Sequence, residues 1–246
     1  MLFWRLMFVG EHAKQFYDEY IERPQGAAQL DRVRQLLTLY DGRASDILDI
    51  GCGNGELLEL LRARSPQAGR TTGVDMGHAV TDMLGALGFE GLEADAQRSL
   101  PFENESFDCV VAAEIIEHLF DTDQFVSEIY RVLRKGKCLL LSTPNIAYLP
   151  NRLLLALGVQ PLFTETSTIK HMGRWLPLFG QGRVTEGHTK IFTLGALTEL
   201  LTYHGLHVER VAAYRFFPNG PLGLMDSALK IRRTFAAGFA VRARKG

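Results

Sequence analysis

The densest chemical signal in the chain is one acid followed by three glycines. Asp49 precedes Gly51, Gly53 and Gly55 in the segment ILDIGCGNGELLEL, residues 47–60. An apolar strand, a glycine-rich turn and a helix in succession let the backbone approach a ligand closely, because glycine turns sharply and leaves no side chain between loop and ligand. The spacing is Gly-x-Gly-x-Gly, not the Gly-x-Gly-x-x-Gly that seats a pyrophosphate on bare helix-end amides. An acid two residues ahead suits a ligand with an amino group or another positive charge. Asp75, in TGVDM, ends the next strand and can accept both hydroxyls of a ribose. Asp95, in EADA, ends a third strand region and can meet an adenine amino group, with Ala96 lending a backbone amide. Each acid alone reads more readily as a helix cap or a solvated turn residue; three at successive strand ends point to one shared ligand.

The elements that must position these residues alternate short apolar runs with helical stretches, the pattern of a parallel sheet covered by helices. Strands are expected at residues 46–50, 71–74, 107–112 and 137–142. Helices are expected at 55–64, 78–87 and about 123–133. In the last of these Phe125, Ile129, Val132 and Leu133 fall on one stripe, with Thr122 or Asp123 as N-cap and Gly136 as the stop. From Pro144 to about Gly187 the regularity fails, which predicts an inserted lid or substrate segment. A helix over 194–204, a strand after Gly205 and a last strand over 238–244 follow, with a second irregular stretch at 216–235. The expected organisation is a 1–44 amino-terminal helical segment, a 45–144 ligand-binding core, a 145–190 insertion and a 191–246 return to the core with a basic tail.

Composition narrows the class. A chain of 246 residues with 46% hydrophobic and 22% charged residues is that of a globular protein with one sizeable core. Its net charge of −1 supplies no global field for nucleic acid, so nucleic acid is not favoured as a partner. Cys52, Cys109 and Cys138 are odd in number, far apart and set in apolar runs, against a disulfide framework or a zinc site. A cytoplasmic location is expected. Leu2 to Val9 is apolar but short and broken by Arg5, a poor signal peptide that reads as a packed terminal segment or a surface-lying one.

Taken together, ILDIGCGNG, GVDM, EADAQRSLPFENESFDCVVAAEIIEHL and RVLRKGKCLLLSTPN resemble the class I S-adenosylmethionine-dependent methyltransferases. Within them the chain is most similar to the small-molecule branch that includes the ubiquinone and menaquinone biosynthesis methyltransferases and enzymes acting on sugars or lipids. The resemblance is close over residues 45–145 and looser over 187–211. It implies an α/β fold: a Rossmann-like, doubly wound seven-stranded sheet with helices on both faces and the last strand antiparallel. It also implies S-adenosylmethionine as cofactor, with Asp49, Gly51, Gly53 and Gly55 around the methionine part. Asp75 goes to the ribose, Met76 beside the adenine, Asp95 and Ala96 at its edge, and Glu114 below the sulfonium, with Ile115 nearby. Ser142-Thr143-Pro144-Asn145 stands where amine-modifying DNA and release-factor methyltransferases carry Asn-Pro-Pro-Tyr, which favours oxygen as the methylated atom.

A hydroxyl acceptor must lose a proton, and His118 in EIIEHL is the leading base; a structural histidine is the alternative. Glu117 beside it would orient it or bind a metal, although nothing in the spacing requires one. His171 and His188 lie where acceptor contacts are expected. The acceptor class is a small-molecule or lipid-linked hydroxyl, as on a sugar, glycan, lipid or quinone-like precursor. Rival readings are a nicotinamide oxidoreductase, disfavoured by the glycine spacing, and a non-catalytic member acting in partner binding or regulation. Arg152, Lys170, Arg174, Arg183 and Lys190 in the insertion, interleaved with Tyr148, Phe163, Trp175 and Phe179, are one candidate for peripheral membrane contact. Lys230, Arg232, Arg233, Arg242, Arg244 and Lys245 in the tail are the other. A solvated basic face is the alternative for both.

Overall fold

The computed structural model describes residues 27–174, 180–182, 185–217 and 219–246. Leu2 to Val9 and the rest of the expected helical segment up to residue 26 lie outside the described residues, as do Trp175, Phe179 and Arg183. The described elements run α1 (Ala27–Leu39), β1 (Asp46–Ile50), α2 (Glu56–Arg64), β2 (Arg70–Asp75), α3 (Val80–Ala86), β3 (Glu90–Glu93) and β4 (Phe107–Ala113). A short 3-10 turn (Ile116–His118) leads to α4 (Thr122–Val132), β5 (Leu133–Pro144), α5 (Leu149–Ala156), α6 (Leu194–Tyr203), β6 (Leu206–Tyr214), α7 (Gly220–Leu229) and β7 (Gly238–Lys245).

The seven strands form one sheet in the order β3-β2-β1-β4-β5-β7-β6. β1 lies parallel to both β2 and β4, and β7 runs antiparallel between β5 and β6, as the resemblance implies. Because the chain winds outward in opposite directions from β1 and β4, their carboxyl ends part and open a crevice at the switch point of the sheet. Alternation along β1 covers both faces: Leu48 and Ile50 join Phe125, Ile129, Leu197 and Leu201 in one core, while Ile47 joins Leu36, Leu58, Leu61 and Leu84 in the other. α4 carries the predicted stripe, with Phe125, Ile129 and Val132 fully buried, each worth about 1.5–3 kcal/mol of removal from water.

Three local expectations are corrected. α4 is capped by Asp121, whose carboxylate accepts from the Gln124 amide at 2.9 Å, one residue before Thr122. It ends at Val132, where Leu133 turns extended to start β5, and Gly136 lies within that strand at φ 72°. The strand region before Asp95 is β3, which has no apolar run and is held by pairing to β2. The stretch after Phe216 contains α7, held by Asp226: its carboxylate accepts from the Phe216 and Phe217 amides (2.9 and 2.8 Å) and from the Tyr148 hydroxyl.

The insertion is partly ordered by its own polar groups. Arg174 is buried and donates to the Pro161, Leu162 and Thr164 carbonyls, so it is a clasp and not a surface charge. In the tail, Lys230 pairs with Asp31, Arg242 with Asp41 and Glu209, Arg244 with Glu209 and Lys245 with Glu105. Four of the six tail cations are thus ion-paired within the chain. No helix among the described residues is long and apolar enough to cross a membrane.

Candidate active site

The carboxyl ends of β1, β2 and β4 border a cleft of about 1170 Å³, its open mouth included. Asp49, Gly51, Gly53, Asp75, Met76, Ala96, Glu114, Ile115 and His118, all expected from the sequence, line it, and Arg32, Cys52 and Asn54 join them. Gly55 and Asp95 do not. Gly55 is the left-handed N-cap of α2, and a Cβ there would meet Leu84 at 2.6 Å, so its glycine serves helix packing. The Asp95 side chain accepts from the Gln97 amide at 2.9 Å and pairs with Arg98 at 3.4 Å, although its neighbours Ala94 and Ala96 face the cleft.

The glycine loop is shaped by its contacts. Gly51 donates to the Val74 carbonyl at 2.7 Å and has φ 76°, and a Cβ there would lie 2.9 Å from the Ile115 side chain. Only glycine fits that turn without strain. Both oxygens of the Asp75 carboxylate accept backbone amides, from Gly53 (3.0 Å) and Gly77 (3.2 Å), which fixes its orientation at the end of β2.

Asp49 is held differently. It is 1% exposed, and its Oδ1 is buried with no hydrogen-bond partner. Burial, then the nearby Asp75 charge, pushes its carboxyl up to about 8, against a smaller opposing pull from Arg32. A buried carboxyl with a bare oxygen facing a cleft is a site for a cation, which matches the ammonium and sulfonium of S-adenosylmethionine. The oriented Asp75 carboxylate likewise matches a ribose diol.

Glu114 follows β4 at φ 54°, outside the range ordinary side chains prefer. It is kept there by the Tyr214 hydroxyl, donating to Oε1 at 2.8 Å, by Arg32 at 3.4 Å from Oε2 and by its own amide donating to the Ser142 carbonyl at 3.0 Å. Arg32 and Tyr214 come from α1 and β6, and no local motif marks either.

Beyond Glu114 the 3-10 turn carries Glu117 and His118. Glu117 is fully buried; desolvation first, and the Glu114 charge next, push its carboxyl well above the usual range. His118 is pushed down to about 3 by burial and by the neighbouring His188, so its ring is neutral at ordinary pH. The insertion closes on this turn: the Thr189 and Lys190 amides donate to the Glu117 carbonyl at 2.8 and 3.0 Å. The Glu165 carboxylate gathers the amides of Glu186, Gly187 and His188 at 2.6, 2.9 and 3.1 Å. That turn sets the His188 ring 5.0 Å from His118, centroid to centroid. His171 is buried elsewhere in the insertion, beside Gly180. Sequence reasoning named His118 and His188 separately but gave no sign that they meet.

Comparison with known proteins agrees with this geometry. Residues 48–141 match the methyltransferase domain family. A probable S-adenosylmethionine-dependent methyltransferase of Mycolicibacterium smegmatis is 38% identical over 178 residues, 72% of this chain and 66% of that protein. A ubiquinone biosynthesis O-methyltransferase of Hahella chejuensis is 34% identical over 105 residues, 40% of this chain and 43% of that one. The matches thus span about two thirds or less of these relatives. In fold, the crystal structure of the N-methyltransferase NodS from Bradyrhizobium japonicum with S-adenosyl-L-homocysteine superposes with a TM-score of 0.60 at 17% identity, covering 94% of this chain and 97% of that one. The β3-β2-β1-β4-β5-β7-β6 sheet, the acid-and-glycine cleft at its switch point and the similarity over the core place the chain in the class I S-adenosylmethionine-dependent methyltransferases.

Proposed function

We propose that the chain transfers a methyl group from S-adenosylmethionine to a hydroxyl oxygen of a small or lipid-linked acceptor, of the sugar, glycan, lipid or quinone-precursor class. The observation that carries this reading is that His118 and Glu114 stand on the same cleft as Asp49 and Asp75, beside the insertion that delivers His188. Bound S-adenosylmethionine supplies a methyl group on an electrophilic sulfonium. Asp49 ionises to meet the amino group, Asp75 holds the ribose, and Gly51 lets the backbone come close. Ile115 and Leu119 narrow the cleft with apolar surface and keep water from the reacting atoms. A good leaving group leaves positioning as the main task, worth about 7–11 kcal/mol in well-oriented systems. His118, neutral and on the cleft wall, borders the space where the acceptor hydroxyl would lie.

An oxygen acceptor is supported by the Ser142-Thr143-Pro144-Asn145 turn and by the similarity to a ubiquinone O-methyltransferase. A lipid-linked acceptor is supported by Leu153, Leu155, Leu157 and Ile169, exposed apolar side chains on the insertion that also carries His188. The test is turnover with methyl-labelled cofactor against glycan, lipid and quinol acceptors, with the product's methyl located by NMR. An O-methyl product that disappears with Asp75→Ala is the expected result. A methyl group on nitrogen or carbon would overturn the oxygen assignment.

A further inference from the structure

We propose that Glu117, His118 and His188 form a binding site for a divalent transition-metal ion, whose open coordination positions face the acceptor side of the cleft. One candidate ligand atom from each residue lies within 4.8 Å of the others. Two of the three come from the turn after β4 and the third from the insertion, so the cluster exists only in the folded chain.

The hydrogen bonds select which atoms are free. Glu117 Oε2 accepts from Thr143 Oγ1 at 2.9 Å, while Oε1 is buried without a partner. One nitrogen of His118 bonds the Gly187 backbone, and Nδ1 is buried without a partner. His188 Nδ1 bonds the Phe163 carbonyl at 3.0 Å, which puts its proton there and leaves the Nε2 lone pair, 3.5 Å from Glu186 Oε2. Each residue is thus anchored through one polar atom and presents another. This is the outer-shell arrangement that fixes tautomer and ring direction at metal centres. Glu114, three residues earlier, is engaged by Tyr214 and Arg32 and stands outside the ligand set.

Metal–nitrogen and metal–oxygen distances of about 2.0–2.2 Å place ligand atoms about 3.0–3.4 Å apart, so the ion draws the cluster inward. His188 is carried by the short 185–190 segment, whose amides bond the Glu165 carboxylate. Two imidazoles and one carboxylate suit Zn²⁺, Mn²⁺, Fe²⁺ or Co²⁺ and not the all-oxygen shells of Ca²⁺ or Mg²⁺. Three protein ligands leave room for an acceptor oxygen, and His118 lines the cleft itself.

The role of the ion rests on the methyl-transfer reading given above; the site itself does not. A hydroxyl bound to the ion loses its proton to solvent more readily. Its oxygen then forms the O–C bond to the methyl carbon as the C–S bond breaks and its electron pair stays on sulfur.

The full chain, freed of metal by a chelator and dialysed, is titrated with Co²⁺ while its visible absorption is followed, and with Zn²⁺ by calorimetry. S-adenosylhomocysteine is titrated in parallel. One ion per chain is expected. His188→Gln, chosen because the fully buried Glu117 is riskier to change, should weaken ion binding at least tenfold and leave S-adenosylhomocysteine affinity within about twofold. Wild-type protein that binds S-adenosylhomocysteine but no ion overturns the metal site alone. Ion binding equally tight in His188→Gln and His118→Gln overturns it too, by placing the cation elsewhere. Turnover undiminished in excess chelator overturns the ion's role with the acceptor. A wild-type chain that binds the ion but not S-adenosylhomocysteine overturns the methyl-transfer reading and leaves the metal site standing.

Discussion

If Asp49 is the seat of the cofactor's amino group, binding must expel a proton. The free carboxyl titrates at about 8 because burial and Asp75 oppose its charge, so it is neutral in the free protein at mildly acidic pH and charged in the complex. At pH 6.5 about 97% of the free protein holds this proton, and the ligand's α-amino group, titrating at about 7.7–8.0, is almost fully charged. Net release is therefore about 0.9 proton per cofactor bound at pH 6.5, and affinity rises about eightfold from pH 6 to 7. Above pH 8 the amino group loses its charge and the slope reverses. Isothermal titration in buffers of different ionisation enthalpy reads the released proton directly. Asp49→Asn should bind more weakly with almost no pH dependence between pH 6 and 7. The same carboxyl sets a stability trend in the free protein. Its folded value lies above the unfolded one, so its contribution is full below about pH 4 and is lost as pH rises through about 8. The melting temperature of Asp49→Asn relative to wild type should therefore climb across that window. Binding with a buffer-independent enthalpy at pH 6.5 would refute the assignment of Asp49.

Three further outcomes follow from the contacts around the cleft. Tyr214→Phe removes the donor to Glu114 Oε1 but leaves Arg32 in place, so it should cost about 1 kcal/mol in stability or cofactor affinity; no change in either would mean that Glu114 is held without the phenol. Gly51→Ala forces a left-handed turn on alanine and presses on Ile115, costing about 1–2 kcal/mol in denaturant melts and weakening cofactor binding further. Arg131 binds Glu128 and the Leu100 and Phe102 carbonyls, tying down the segment after Ala96. Arg131→Ala should lower stability by about 2 kcal/mol, measured by chemical denaturation, and loosen the adenine end of the cleft.

Local patterns set out most of the frame. The apolar runs of β1, β4 and β5 and the stripe of α4 are written in neighbouring residues, and so are the acid and glycines of residues 49–55. Elements without such a pattern were marked weakly or not at all. β3 is half-exposed and short, and α7 sits in a stretch broken by Pro and Gly; pairing to β2 holds the first, and Asp226 anchors the second. The basic tail showed the limit most plainly. Six cations in sequence look like one surface, yet Arg242 and Lys245 point into partners on α1's carboxyl-terminal side and the loop before β4.

By itself the sequence marked Asp49, Gly51, Gly53 and Asp75, which line the cleft. These residues follow strand ends at fixed short spacings, and the strand order of such a sheet brings those ends together. The meeting of Glu117, His118 and His188 was decided by tertiary structure alone. Glu117 and His118 meet His188 only because the insertion folds back so that Glu165 can cap its turn and Thr189 and Lys190 can bond the Glu117 carbonyl. Likewise Arg32 and Tyr214 reach Glu114 only once α1 and β6 have packed on the sheet. Contacts between segments 70 or more residues apart leave no local period to read, because desolvation and hydrogen bonding select them only after the chain is compact.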